Sequence, residues 1–233
     1  MKILFCADIY ETKYVGPARF AEMLLHINEI YKGIHEVRVL TADVAEEQMP
    51  VYKMSLRYPK FLRFLDPLSR GWKYYRAIRR IENEYEFDVV LFGNAIGGIV
   101  PKFLYRGDIK VVGMINDYIS VRVNITNFYK LRGGKGLLLQ KQFEKLSTFY
   151  LNTIIVCSEY LKELLSQAYY CPKKKIKRLH QGIDIGKTSF KPKAIEGKNI
   201  EIIFLKYLFD YGGLSDLAVT LGQLRKYDFN LSV

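Results

Sequence analysis

Short apolar runs that alternate with stretches of helical periodicity constrain this chain more than any other feature. KILFCA at 2–7 has the length and composition of a buried strand. Gly16 and Pro17 then stand where a helix cap and a first helical residue belong, and Phe20, Met23, Leu24, Ile27 and Ile30 recur on one helical face. HEVRVLT at 35–41 alternates and then becomes apolar, which predicts a second strand reached by a right-handed crossover. The same grammar continues downstream. Strands are predicted at 88–92, 110–115 and 153–157, helices near 96–105 and 137–150, and a further short strand in KIKRLHQG at 175–182. Ser158 is placed to cap another helix, with Glu159 and Glu163 in its opening turns, where the helix dipole favours negative charge. Such alternation predicts an α/β fold: an open parallel, Rossmann-like sheet with helices on both faces. Ligands of these sheets bind beyond the carboxyl ends of the strands, so function is expected in the strand-to-helix loops.

Periodicity is lost over 186–199, where Gly, Lys, Thr, Ser and Pro accumulate as in a linker. The reading is therefore a Rossmann-like domain at 1–185, a linker at 186–199, and at 200–233 the first βαβ unit of a second, truncated domain. Its parts are IEIIFL, a helix over 213–226, and FNLSV. So small a unit hides too little surface to stand alone, and its open strand edges predict docking on a second copy, a dimer.

Several function classes are excluded by what the residues lack. Cys6, Cys157 and Cys171 form no C-x-x-C pair, and His26, His35 and His180 fall in separate segments, so neither a disulfide framework nor a metal site is expected. There is no G-x-S-x-G elbow. The dinucleotide fingerprint G-x-G-x-x-G is missing too: Gly93-Asn94-Ala95-Ile96-Gly97-Gly98 does not fit it, and Gly133-Gly134-Lys135-Gly136 fits neither it nor a P-loop. No apolar run approaches the roughly 18 residues of a membrane span, and the opening MKILFC is cut short by Asp8, which predicts a cytoplasmic protein. With 49% hydrophobic residues the chain can bury a real core.

The motifs in this order resemble one known family. The opening strand, the loop Gly16-Pro17-Ala18-Arg19 before an amphipathic helix, and the HEVRVLT strand are similar to the acceptor-side domain of family-4 glycosyltransferases. The likeness continues in IVC-Ser158-EYLKELL, in Gly182-Ile183-Asp184 followed by Phe190 and Pro192, and in IIFL followed by Tyr211-Gly212-Gly213-Leu214. It implies a retaining, nucleotide-sugar-dependent enzyme of the two-domain GT-B architecture, acting without a metal or other cofactor on a glycan or lipid-linked acceptor in cell-surface polysaccharide or glycolipid synthesis.

By that resemblance Gly16, Pro17 and Arg19 lie near the donor diphosphate, where a residue without Cβ and a helix N-terminus admit a phosphate. The alternative is that Gly16-Pro17 only starts a helix. Asn94, Ser158 and the pair Asn116-Asp117 join the acceptor side, the pair as catalytic candidates. The family commonly has a histidine where Asn116 stands, and asparagine donates a hydrogen bond but exchanges no proton near neutral pH. An Asx-type turn ending the strand is the alternative use of Asn116-Asp117. On the donor side, Lys206, Gly212 and Gly213 match, whereas the family's arginine and lysine fall at Tyr207 and Tyr211. These departures, with most of the donor domain lying past residue 233, predict no sugar transfer by this chain alone. They also favour the rival reading, an inactive module that binds a glycan or lipid-linked precursor.

The net charge of +12 is concentrated. Lys60, Arg63, Trp72, Lys73, Arg76 and Arg80 mix cations with an aromatic between 57 and 80, alongside Arg70 and Arg79, and suit the surface of an anionic membrane. A peripheral place on the inner membrane face is therefore expected. The alternative is a solvated helix face whose long side chains cover core. Nucleic acid is not the expected partner, because no helix-turn-helix, zinc-finger or RNP signature accompanies the charge.

Overall fold

The computed structural model describes residues 1–11, 16–55, 66–105, 108–117, 119–124, 126–127, 129, 134–180, 200–203 and 229–232. The chain divides into two compact units, Met1–Gly182 and Ile183–Val233.

The first unit is built on a parallel sheet of seven strands: β1 (Lys2–Ala7), β2 (Glu36–Thr41), β3 (Val51–Lys53), β4 (Val89–Phe92), β5 (Lys110–Ile115), β6 (Thr153–Val156) and β7 (Ile176–Arg178). Their spatial order is β3-β2-β1-β4-β5-β6-β7, parallel throughout. The helices are α1 (Gly16–Ile30), α2 (Asp66–Glu82), α3 (Ile99–Leu104), α4 (Ile119–Arg122), α5 (Gly134–Tyr150) and α6 (Glu159–Tyr169). A 3-10 turn at Ala95–Gly98 precedes α3. Every strand expected from the apolar runs of this unit is present. β3 was not expected: three residues are too few to show a period, and they form a strand through pairing with β2.

Alternate residues of each strand serve opposite faces. Phe5 and Ala7 meet Phe20, Ala21 and Leu24 of α1, together with Val37 and Val39, on one face. Leu4 and Cys6 join Tyr74, Ile78 and Ile81 of α2, Phe92, Leu151, Leu161 and Leu165 in the larger core on the other. Side-chain amides set the entry points of the strands. Asn28 of α1 donates to Val37 O at 2.8 Å and accepts from Val37 N at 2.6 Å, while Asn152 Oδ1 accepts from Val111 N at 2.9 Å. The buried glycines of the 3-10 turn have a packing cause. A Cβ on Gly97 would stand 3.3 Å from the Tyr74 ring, and one on Gly98 would stand 2.9 Å from the Phe92 ring.

In the second unit, β8 (Ile200–Ile203) and β9 (Phe229–Ser232) pair in parallel, with Ile200 opposite Phe229. That is the pairing a βαβ unit requires. The expected linker and the helix over 213–226 lie outside the described residues.

Candidate active site at the carboxyl ends of the strands

The strand order places a topological switch point between β1 and β4. The chain leaves β1 toward β2 and β3 on one side, then returns through α2 to β4 on the other. Loops that diverge in this way leave a crevice at the carboxyl ends of the two strands. A pocket of about 320 Å³ occupies that place, lined by Cys6 and Asp8 of the β1 end, Asn94, Ile96 and Gly97 of the β4 end, Pro67, Arg70 and Tyr74 of α2, and Gly136, Leu139 and Gln140 of α5. Gly93 N donates to Cys6 O at 2.8 Å, which holds the two strand ends side by side.

Asp8 is the hub of the polar groups. Its Oδ2 accepts from Arg70 Nη1 in an ion pair, and its Oδ1 accepts from the Tyr74 hydroxyl at 2.6 Å. Burial, then the Asp8 charge, raises the Tyr74 hydroxyl well above the usual phenol range, so it stays a donor to the carboxylate. Burial followed by the same charge pushes up the Cys6 thiol, which removes it as a nucleophile. Asn94 caps the 3-10 turn by accepting from Ile96 N at 3.1 Å, which leaves its Nδ2 as a donor at the pocket wall. Gln140 donates through Nε2 to Glu144 at 2.7 Å, leaving Oε1 as its acceptor. The pocket thus combines a carboxylate and an amide oxygen with an amide N–H group, an array matched to hydroxyls that donate and accept at once.

Glu144 anchors the wall behind Gln140. Its carboxylate is buried and also accepts from Ser120 Oγ at 2.5 Å and Tyr169 OH at 2.9 Å. Lys141 donates to the carbonyls of Val121 and Val123, both at 2.7 Å, so α5 grips the segment that follows Asn116-Asp117. Burial raises the Glu144 carboxyl against the lowering effect of its three hydrogen bonds.

The expected acceptor-side residues that are described follow the carboxyl ends of strands, and one of them lines the pocket. Asn94 lines the pocket. Gly16, Pro17 and Arg19 open α1, where a Cβ on Gly16 would meet nothing within 4 Å. The preceding loop is fastened to Asp43 after β2, which accepts from Tyr10 N at 2.6 Å and Glu11 N at 3.1 Å. Asn116 and Asp117 are exposed past the end of β5 and do not line the pocket. Ser158 caps α6 by accepting from Leu161 N at 3.1 Å. Lys60, Arg63, Lys206, Tyr207, Tyr211, Gly212 and Gly213 lie outside the described residues.

Asp8, Tyr74 and Gln140 were not singled out from the sequence, and Arg70 was grouped with the surface cations. Structure corrects that grouping: Arg70 points into the site and pairs with Asp8. An acid directly after the first apolar strand was a visible signal; the arginine 62 positions away was not. Elsewhere on α2, Trp72 and Arg76 are exposed and Lys73 is half-buried, while Arg80 donates to Glu47 at 3.1 Å and to Lys53 O at 3.2 Å. Among the described residues no three His, Cys, Asp or Glu side chains converge as a metal site would need, and no helix is long and apolar enough to cross a membrane.

Known proteins share this architecture. The lipopolysaccharide outer core galactosyltransferase WaaB in its apo form matches 99% of the chain with a TM-score of 0.61 at 12% identity. Sucrose-phosphate synthase from Thermosynechococcus elongatus matches 99% with a TM-score of 0.63 at 13% identity. HepE from Anabaena, solved with UDP and glucose, matches 96% with a TM-score of 0.58 at 19% identity. The chain spans 60%, 61% and 58% of these three structures. Identities this low establish the shared GT-B fold and nothing finer. No protein with a curated description matches the chain in sequence. The profile of glycosyltransferase family 4, however, matches residues 28–187, more than half the chain and six of the seven strands of the sheet, β1 preceding the match. This chain belongs to glycosyltransferase family 4.

Proposed function

We propose that the chain is the acceptor-side part of a nucleotide-sugar-dependent glycosyltransferase, and that the pocket at the β1–β4 switch point receives one sugar ring of the acceptor. The observation that carries this reading is the Asp8–Arg70–Tyr74 cluster facing Asn94 and Gln140 in a space of about 320 Å³, at the small end of ligand pockets and so suited to a single ring. Asp8 accepts a hydrogen bond from the incoming hydroxyl and holds its oxygen lone pair toward the donor. Asn94 Nδ2 binds a neighbouring hydroxyl, while Gln140 Oε1 accepts from another. Positioning of this kind, with cations and helix N–H groups stabilising the leaving diphosphate, supplies the rate in a reaction without covalent help from the pocket.

On the donor side, Lys206 and the N–H groups at Gly212-Gly213 are assigned to that diphosphate and Gly16, Pro17 and Arg19 to its near edge, with retention of configuration. Asn116-Asp117 and Ser158 border the acceptor's path. The product belongs to cell-surface polysaccharide or glycolipid synthesis on the cytoplasmic side, and the 200–233 segment pairs with a second copy. Residues 1–233 alone transfer no sugar at an enzyme's rate.

Saturation-transfer NMR on the full chain with glucose, galactose and mannose, each with and without UDP or GDP, tests the reading. Expected are saturation of at least one monosaccharide, its loss in Asp8→Asn, and nucleotide binding. Saturation unchanged by Asp8→Asn overturns the pocket assignment. Glycan binding with no nucleotide binding favours the inactive binding module, and turnover of a radiolabelled nucleotide-sugar by this chain refutes the assigned inactivity.

A further inference from the structure

Helix α5 is turned inside out. Its inward stripe is polar: Gln140, Glu144, Ser147 and Thr148 follow one another at helical spacing, and the last three are buried. Ser147 and Thr148 satisfy their hydroxyls on the helix itself, donating to Glu144 O at 2.6 Å and Lys145 O at 2.7 Å. Its outward stripe is largely apolar, interrupted by Lys135 and Gln142. Leu139, Leu146, Phe149 and Tyr150 are all exposed, Phe149 at 58%. Phe103 of α3, 73% exposed, sets its ring edge-on to Tyr150 with centroids 6.3 Å apart.

A neighbouring aromatic extends the face. Tyr170, which ends α6, has φ of 56°, a left-handed conformation that favours glycine or asparagine and costs a bulky residue. That backbone leaves its ring 78% exposed, with Lys145 Nζ 5.4 Å from the centroid. Strain held for an exposed aromatic points to use of the ring rather than to packing. The charges around it are mostly cations. Lys102 and Lys145 lie on α3 and α5, Lys175 donates to Phe149 O at 2.7 Å, α3 and the 170–175 segment contain no acid, and the sole acid of α5, Glu144, is buried, while Glu163 of α6 is paired with Lys173 at 2.6 Å.

Exposed aromatics and leucines bordered mostly by cations complement a surface that is apolar beneath and anionic at its rim. We infer that the outward face of α5 and α3, with Tyr170, docks on an anionic phospholipid leaflet. The rings enter at headgroup depth and the lysines meet lipid phosphates. This surface differs from the α2 cations expected from the sequence, and it stands apart from the transferase reading, because of its residues only Leu139 also lines the pocket.

The test is co-sedimentation of the full chain with vesicles of phosphatidylcholine containing about 30 mol% phosphatidylglycerol, beside vesicles of phosphatidylcholine alone. The chain is expected to partition to the anionic vesicles at least about tenfold more strongly, and F103S/F149S/Y150S to lower that binding by about tenfold or more. Hydrogen–deuterium exchange on the unaltered chain gives a readout independent of variant folding: added anionic vesicles are expected to protect 99–104, 139–150 and 170–175. A chain that stays in the supernatant overturns the inference. So does equal partition of the triple variant, protection confined to α2, or a dimer that the triple variant dissociates without any vesicle binding.

Discussion

The Asp8–Arg70 pair offers the most direct quantitative test of the site. Asp8→Asn removes the charge while keeping the shape, and leaves the Arg70 guanidinium, 27% exposed, beside a neutral amide. Exposed ion pairs contribute about 0–1 kcal/mol, whereas breaking a buried one costs about 3–5 kcal/mol. This pair, with a quarter of each side chain exposed, stands between those limits, so each single variant is expected to lose about 2 kcal/mol. In a unit of this size that lowers the melting temperature by about 4–8 °C. Arg70→Met combined with Asp8→Asn removes both charges, and the double variant should lose about 1 kcal/mol or more less than the sum of the singles. Removal of the Asp8 charge also removes one cause of the raised Tyr74 hydroxyl, whose ultraviolet titration should move down in Asp8→Asn. Thermal and urea unfolding of the four proteins measures the coupling. Additivity within about 0.5 kcal/mol would refute the claim that the two charges act as a unit.

Two further outcomes follow from the packing and charge around α5. A Cβ on Gly113 would stand 2.7 Å from Ala95 Cα, so Gly113→Ala is expected to cost about 1–3 kcal/mol, while Gly136→Ala, with nothing within 4 Å, should gain about 0.5–1 kcal/mol; calorimetric melts that fail to separate them would contradict the close approach. Glu144 has its folded carboxyl raised by burial, so between the ordinary carboxylate range and that raised value the folded state holds more protons and stability falls as pH rises. Glu144→Gln should flatten this part of the stability–pH curve, and an unchanged slope would show that the carboxyl titrates no differently on folding.

Much of the fold was legible because burial on both faces of a parallel sheet writes itself as continuous apolar runs. KVVGMI at 110–115 coincides with β5, and Ser158 caps α6 as its position before an amphipathic stretch predicts. The site was legible only in outline. Asn94 could be placed at the end of an apolar strand, but its neighbours Arg70 and Gln140 come from helices whose own periodicity carries no mark of what they face. The cations of α2 read alike in the sequence, yet Arg70 turns into the pocket and Arg80 turns to Glu47.

By itself, then, the sequence determined the alternation of strands and helices, the expectation of a site in the loops after the strands, and the resemblance to family 4, since each rests on local period or on motif order. Tertiary structure alone decided that β4 returns beside β1, which opens the crevice. It likewise decided that Asp8 meets Arg70 and Tyr74 there, and that α5 buries its polar stripe and exposes its apolar one. The reason is physical. Strand order and helix rotation are settled by which faces can be covered together, through contacts between residues many tens of positions apart that leave no local pattern in the chain.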